Sequence, residues 1–196
     1  CIRGVGSVEF QSPYVGSGST IIVTATSVPV FTVGAGVDMQ GMMFYWPAQD
    51  ASAATPITYP PLLDGSAWSN DTFVNNVFIN PYELARVDVN GALGRVSWTN
   101  NRAYCVKYCY NMLAGNPDNL ELIGNTYSTG IYQDYALYTN GGVLGGWTGD
   151  NGEFIHMDAT GSTNTSFTVN MTGGLVYGYR YGIRIVNLGS MQVSTL

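Results

Sequence analysis

The sequence predicts an all-β chain folded as an antiparallel β-sandwich of the jelly-roll type, with about ten to twelve strands. Three observations carry that expectation. Short runs of alternating apolar and polar residues recur along the chain, each bounded by Gly, Pro, Asn or Asp. No segment spaces its apolar residues at the helical period. The clearest stretch, Glu83 to Leu113, reads as three consecutive antiparallel strands, because Asn90-Gly91 supplies the two positive φ values of a type I′ hairpin turn. That turn would set Val89 opposite Ala92, Val87 opposite Gly94 and Ala85 opposite Val96.

Taken in order, almost every other segment reads as strand plus turn. Val8 to Phe10 looks like a short strand. Ser19 to Val33 is rich in β-branched residues, and Pro29 divides it into two strands or marks a bulged edge strand. Asp38 to Trp46 is a further strand. Pro47 to Gly65 carries prolines at 47, 56, 60 and 61 and has little periodicity, so it reads as a long surface loop, the first place to seek a binding surface. Thr72 to Ile79 fits a strand or one helical turn. Ala114 to Asn119 is a turn and Leu120 to Ile123 a brief strand. Ile131 to Tyr138 and Val143 to Trp147 flank another hairpin signal, Thr139 to Gly142. Glu153 to Met157, Ser166 to Met171, Leu175 to Val186 and Met191 to Leu196 complete the set. No internal repeat stands out, which argues against a solenoid or propeller. The absence of a Pro/Ser-rich or charged linker makes residues 1–196 one domain.

Composition narrows the partners. Only 10% of residues are charged, with one lysine, six arginines and thirteen carboxylates, and the net charge is −6. Such a chain has no basic footprint for nucleic acid. No apolar run reaches the ~20 residues of a membrane helix. Residue 1 is Cys, which reads as a fragment boundary or, alternatively, as a lipid-modified terminus.

Few residues suggest chemistry. Cys105 and Cys109 lie four apart on an expected strand, about 13 Å from each other at ~3.3 Å per residue. At that distance they cannot bond to each other, so buried, reduced cysteines are expected, with a bridge from Cys1 to either of them as the alternative. Their spacing and the single His156 do not suit zinc. No cofactor or metal is called for. There is no nucleophile elbow or phosphate loop. Glycoside cleavage needs two carboxylates held together, and thirteen scattered ones offer no way of choosing a pair. The expectation is therefore a protein without enzymatic activity. Candidate binding residues are Tyr59 and Trp68 near the Pro-rich stretch, Trp147 beside a turn, and the pair Arg86 and Arg95. The hairpin register would place the two arginines face to face, with a counter-charge or a Tyr ring between them.

Tyr179 to Leu196, YRYGIRIVNLGSMQVSTL, resembles a shell strand and turn in the single jelly-roll coat proteins of small icosahedral RNA viruses of the nodavirus and tombusvirus type. The resemblance covers about a tenth of the chain and lacks the basic N-terminal arm of those coats. It implies a capsid or virion-surface spike that packs against copies of itself and contacts a host receptor or glycan. Two alternatives stand beside it. One is an extracellular glycan-binding module; the other is a surface pilin or lipoprotein that assembles by strand exchange.

Overall fold

The computed structural model describes residues 2–3, 19–49, 57–113, 117–129, 152–158, 160, 168–179, 181–186 and 192–195. Among them every regular element is a strand, and every strand pair is parallel. Strands β1 (Ile2–Arg3) and β2 (Ser19–Ile22) lead. The chain then winds through β3 (Phe31–Thr32), β4 (Asp38–Gln40) and β5 (Met42–Tyr45), and repeats that circuit in β6 (Leu63–Trp68), β7 (Asp71–Val74) and β8 (Val77–Ile79). Next come β9 (Glu83–Thr99) and β10 (Arg102–Cys105), then β11 (Tyr108–Met112), β12 (Pro117–Ile123) and β13 (Thr126–Thr129). The last circuit is β14 (Glu153–Asp158), β15 (Thr168–Thr172) and β16 (Leu175–Tyr177), followed by β17 (Tyr181–Val186) and β18 (Gln192–Thr195).

Three faces result. The first is β3-β6-β9-β11-β14-β17 and the second β1-β4-β7-β9-β12-β15-β18; both belong to one sheet because β9 bends from one to the other. The third is the six-stranded sheet β2-β5-β8-β10-β13-β16. Each coil visits the faces in that order, so the fold is a parallel β-helix.

Inside the helix, equivalent positions on successive coils stack at the strand spacing of ~4.8 Å, which is also a good stacking distance for rings. On the second face the inward column is Met39, Phe73, Trp98, Leu122 and Met171. Phe73 and Trp98 stack with centroids 4.2 Å apart, and Tyr110 meets Trp98 edge-on at 5.3 Å. On the third face Phe44 lies over Phe78 at 5.6 Å.

The corner between the second and third faces shows why the chain turns where it does. Gly41, Asn75, Asn100, Gly124 and Gly173 occupy it on five coils, with φ of 66°, 54°, 54°, 64° and 62°. Only Gly and, at modest cost, Asn adopt that conformation readily. The next residue on three of these coils is a buried asparagine. Asn76 donates to Met39 O (3.1 Å), Asn101 to Phe73 O (2.8 Å) and Asn125 to Trp98 O (2.8 Å). Their Oδ1 atoms accept the backbone N–H of Met42, Asn76 and Asn101, each one coil earlier. The ladder thus satisfies backbone groups that a sharp corner would otherwise leave unpaired.

Several expectations from the sequence are corrected by these strands. The antiparallel jelly-roll sandwich is replaced by an all-parallel β-helix. Asn90-Gly91 is not a hairpin turn: β9 runs continuously from Glu83 to Thr99 and changes face there, with a register shift against β6 between Gly65 and Ala67. Arg86 and Arg95 consequently lie on different faces of one strand. The repeat exists but is uneven, because the corner residues step by 25 and 24 residues from 75 to 100 to 124, yet by 34 before and 49 after. Thr72 to Ile79 is two strands split by the corner at Asn75-Asn76. Tyr179 to Leu196 contributes β17 and β18 to the last coil. Pro29 does separate two strands, β2 and β3. The expected strands at 8–10, 131–138 and 143–147, and Cys1, lie outside the described residues.

Cys105 and Cys109 form a disulfide, with Cα atoms 5.4 Å apart. The extended-strand estimate fails because the chain turns at Val106-Lys107, between β10 and β11, and folds both cysteines inward. Both are fully buried. Closing so short a loop restricts the unfolded chain only modestly, so the double variant C105A/C109A is expected to lose about 2 kcal/mol, read as a lower urea midpoint. The folded wild type should resist thiol reductants, since the bond is exposed only on unfolding.

Candidate functional site

Outward-facing residues of the first face line up across the coils in the same way as the core does. One row is Asp64, Arg86, Asn111, His156 and Arg184. The neighbouring row is Glu83, Tyr108, Glu153 and Tyr181. Parallel register therefore brings together residues from five separate coils.

The groups are paired in two nodes. In the first, Arg86 grips Asp64 through two bonds, Nε to Oδ1 at 2.9 Å and Nη2 to Oδ2 at 2.7 Å. Beside it Asn111 Nδ2 donates to Glu83 Oε1 at 2.8 Å, while Asn111 Oδ1 is buried without a donor. In the second node, the fully buried Glu153 uses both oxygens. Oε2 meets His156 Nδ1 at 2.5 Å, and Oε1 accepts from Arg184 Nη1 at 2.7 Å. The Tyr108 ring lies 4.9 Å from His156, and Arg184 sits 5.6 Å over Tyr181.

A cleft of about 360 Å³ opens beside the first node. Its floor is Asp64, Tyr82, Glu83 and Arg86, and its wall is Ser27, Pro29, Thr58, Tyr59, Pro60 and Pro61. The wall is held in place. The buried Gln49 side chain makes two 2.8 Å bonds to the backbone of Ile57, and the Leu62 N–H donates to Glu83 O at 3.1 Å. Prolines add stiffness because their φ is already set. A pre-formed cleft loses little ordering entropy when it is filled.

Burial is the main electrostatic influence here. It pushes the Glu83 carboxyl above its ordinary value of 4.5, against the opposing pull of Arg86 and the Asn111 bond. The Tyr108 hydroxyl is pushed up to about 12 by burial and then by Glu153. The Asp64 bond raises Arg86, which keeps its charge. For Glu83 the sign is that of a carboxyl raised in the folded state. Its contribution is full below 4.5 and is lost as pH rises through the higher folded value, because the unfolded chain releases the proton first. The variant E83Q should therefore gain stability relative to wild type as pH climbs from 4 to 8. Thermal melts of the two proteins across that range measure it. A constant difference would contradict the burial effect.

The residues singled out from sequence are distributed unevenly. Tyr59 and Arg86 both border the cleft, but the Tyr59 side chain is 3% exposed and belongs to the core, as Trp68 does. Trp68 is 2% exposed and belongs to the core, so its ring is not offered to a ligand. Arg95 faces outward on the second face and pairs with Glu121 at 3.2 Å. Trp147 lies outside the described residues. Sequence reasoning missed Asp64, Glu83, Asn111, Glu153 and Arg184. No local signal marks them, since only inter-coil register brings them together. Among the described residues there is no group of three or more His, Cys, Asp and Glu arranged to hold a metal ion. No helix there is long and apolar enough to cross a membrane. No protein family, curated protein or solved structure matches the chain.

Proposed function

We propose that this β-helix is an extracellular or virion-surface module that recognises glycans through the first-face cleft. The observation that carries the reading is the cleft itself. A stiff proline-rich wall and the half-buried Tyr82 border charges that are already paired, so the site offers apolar surface and oriented hydrogen-bonding groups together. Sugar rings present the matching combination, with C–H faces for aromatic and proline surfaces and hydroxyls for carboxyl and guanidinium groups. Affinity electrophoresis through gels containing dextran, xylan, galactomannan or a bacterial O-polysaccharide is the test. Retardation by at least one polymer, reduced by Tyr82→Ala, is expected. Unchanged mobility in all of them would sink the reading.

A second reading, self-association into a spike or fibre, is favoured by the ends of the third face. Its two terminal strands, β2 and β16, carry exposed apolar side chains: Ile22 is 50% exposed and Leu175 56%. Among the described residues no strand pairs beyond β2 or β16, and sheet edges bearing such groups favour head-to-tail stacking of copies, which extends without closing. Light scattering over a range of concentrations should show growing particle mass, and Ile22→Lys with Leu175→Lys should abolish it. A strict monomer throughout would end this reading.

A further inference from the structure

We infer that the two ends of the coil fit each other, and that a second copy of this chain docks its β2 on β16 in the register the coils themselves use. The third-face sheet and the apolar interior then run on from one molecule into the next. The inference rests on the self-association reading above and gives that contact its surfaces and register. Its clearest sign is a break in an inward column of the first face. Val87, Met112 and Met157 stack there at 2%, 3% and 1% exposure. Ile185 occupies the next inward position on that column and is 40% exposed. Ile183 and, on the third face, Val176 are likewise only partly buried, although Ile155 and Tyr127 one coil earlier are closed off. The interior is therefore open at the coil of β16 and β17. The opposite end is its counterpart. Ile21 and Phe31 head the columns that finish in Val176 and Ile183, and both are partly buried, whereas Phe44 and Leu63 one coil on are fully buried.

Three features select a second copy as the occupant. The edges are unprotected: β2 (STII) and β16 (LVY) contain no charged residue and no proline, the groups that ordinarily keep an edge strand from pairing. Direction is the second. A copy moved along the helix axis keeps its strands parallel, so its β2 meets β16 in the orientation of every strand pair described. Two C-terminal ends related by a two-fold axis would instead pair β16 with β16 antiparallel. Register is the third. The third-face columns begin at Thr20, Ile21 and Ile22 and end at Leu175, Val176 and Tyr177. One further step of ~4.8 Å sets Val176 against Ile21 and Tyr177 against Ile22 of the next copy. The exposed Tyr177 and Ile22 then pack side by side on the outer surface, while Val176 and Ile21 close the interior between them. Each addition leaves the same open end, so the product is a filament.

Cross-linking of the full chain tests the register. Every variant carries Cys1→Ser, and Cys105 and Cys109 are already joined and buried. Ile22→Cys combined with Tyr177→Cys places two thiols on paired positions ~4.8 Å apart, within disulfide reach. Oxidation with copper phenanthroline should give a ladder of dimers, trimers and larger species on a non-reducing denaturing gel, and a thiol should collapse it. Both positions are exposed, so the melting curve should match wild type. Ile22→Cys combined with Leu175→Cys lies two residues out of register, about 8 Å apart, and should cross-link at least tenfold less. Particle mass that grows with concentration while the 22–177 pair stays unlinked overturns the register and leaves self-association standing. Equal yields from the two pairs overturn it as well. Abundant dimers from Tyr177→Cys alone would show two C-terminal ends meeting, which overturns head-to-tail docking. A strict monomer at every concentration ends the self-association reading and this inference with it.

Discussion

Replacing Trp98 by alanine is expected to destabilise the protein by about 4 kcal/mol, at the upper end of large-to-small core substitutions. Trp98 is fully buried at the point where all three inward columns meet. It stacks on Phe73, meets Phe78 edge-on at 5.9 Å and meets Tyr110 at 5.3 Å. Truncation removes those contacts together and leaves a cavity that rigid coils above and below cannot fill. For a chain of this size the melting temperature should fall by roughly 12 °C. Trp98→Phe is the informative control. The indole Nε1 has no hydrogen-bond partner, so Phe loses volume but also removes a buried unsatisfied donor. Its cost should be about 1 to 2 kcal/mol. Equal losses for Ala and Phe would show that the indole N–H matters more than the stacking.

Replacing Asn101 by alanine is expected to cost about 3 kcal/mol, although it removes few atoms. Asn101 Oδ1 accepts the Asn76 N–H at 2.9 Å, and its Nδ2 donates to Phe73 O at 2.8 Å. Both backbone groups would be stranded in a region where Asn76 and Asn101 are fully buried. Each orphaned group costs about 1 to 3 kcal/mol. Denaturant titration gives the global effect, and amide hydrogen exchange at Asn76 gives the local one, which should accelerate more than at Phe44 or Phe154. A loss under about 1 kcal/mol would mean that water replaces the side chain at the corner. In a solenoid each coil is stabilised mainly by its neighbours, so damage at the central rung of the ladder weakens the coils on both sides.

Both experiments probe the features that sequence reasoning missed, and the reason is physical. Glycine and asparagine at positive φ make hairpin turns, and they also make the corners of a parallel coil. Asn100-Asn101 and Gly124-Asn125 end strands in both interpretations, whereas Asn75-Asn76 hides a corner inside what reads as one strand, and Asn90-Gly91 imitates a turn inside a continuous one. Alternation shows that a segment is extended, not which strand it pairs with or in what direction. The repeat was hidden by unequal coils, above all by the 49 residues between Gly124 and Gly173. At the site, Tyr59 and Arg86 were legible because one sits in a proline-rich stretch and the other is one of few cations. Glu83 and Asp64 were not, because their significance lies in burial and in the register of β6 against β9.

The sequence by itself determined that the chain is built of strands, with Pro29 dividing two of them, and that its net charge is −6. These follow from side-chain pattern and charge, which act locally or sum over the whole chain. The tertiary structure alone decided that the strands run parallel, that Cys105 reaches Cys109, and that Asp64 and Glu83 border one cleft. Those outcomes depend on contacts between residues distant in sequence, whose energies arise only once the coils have stacked.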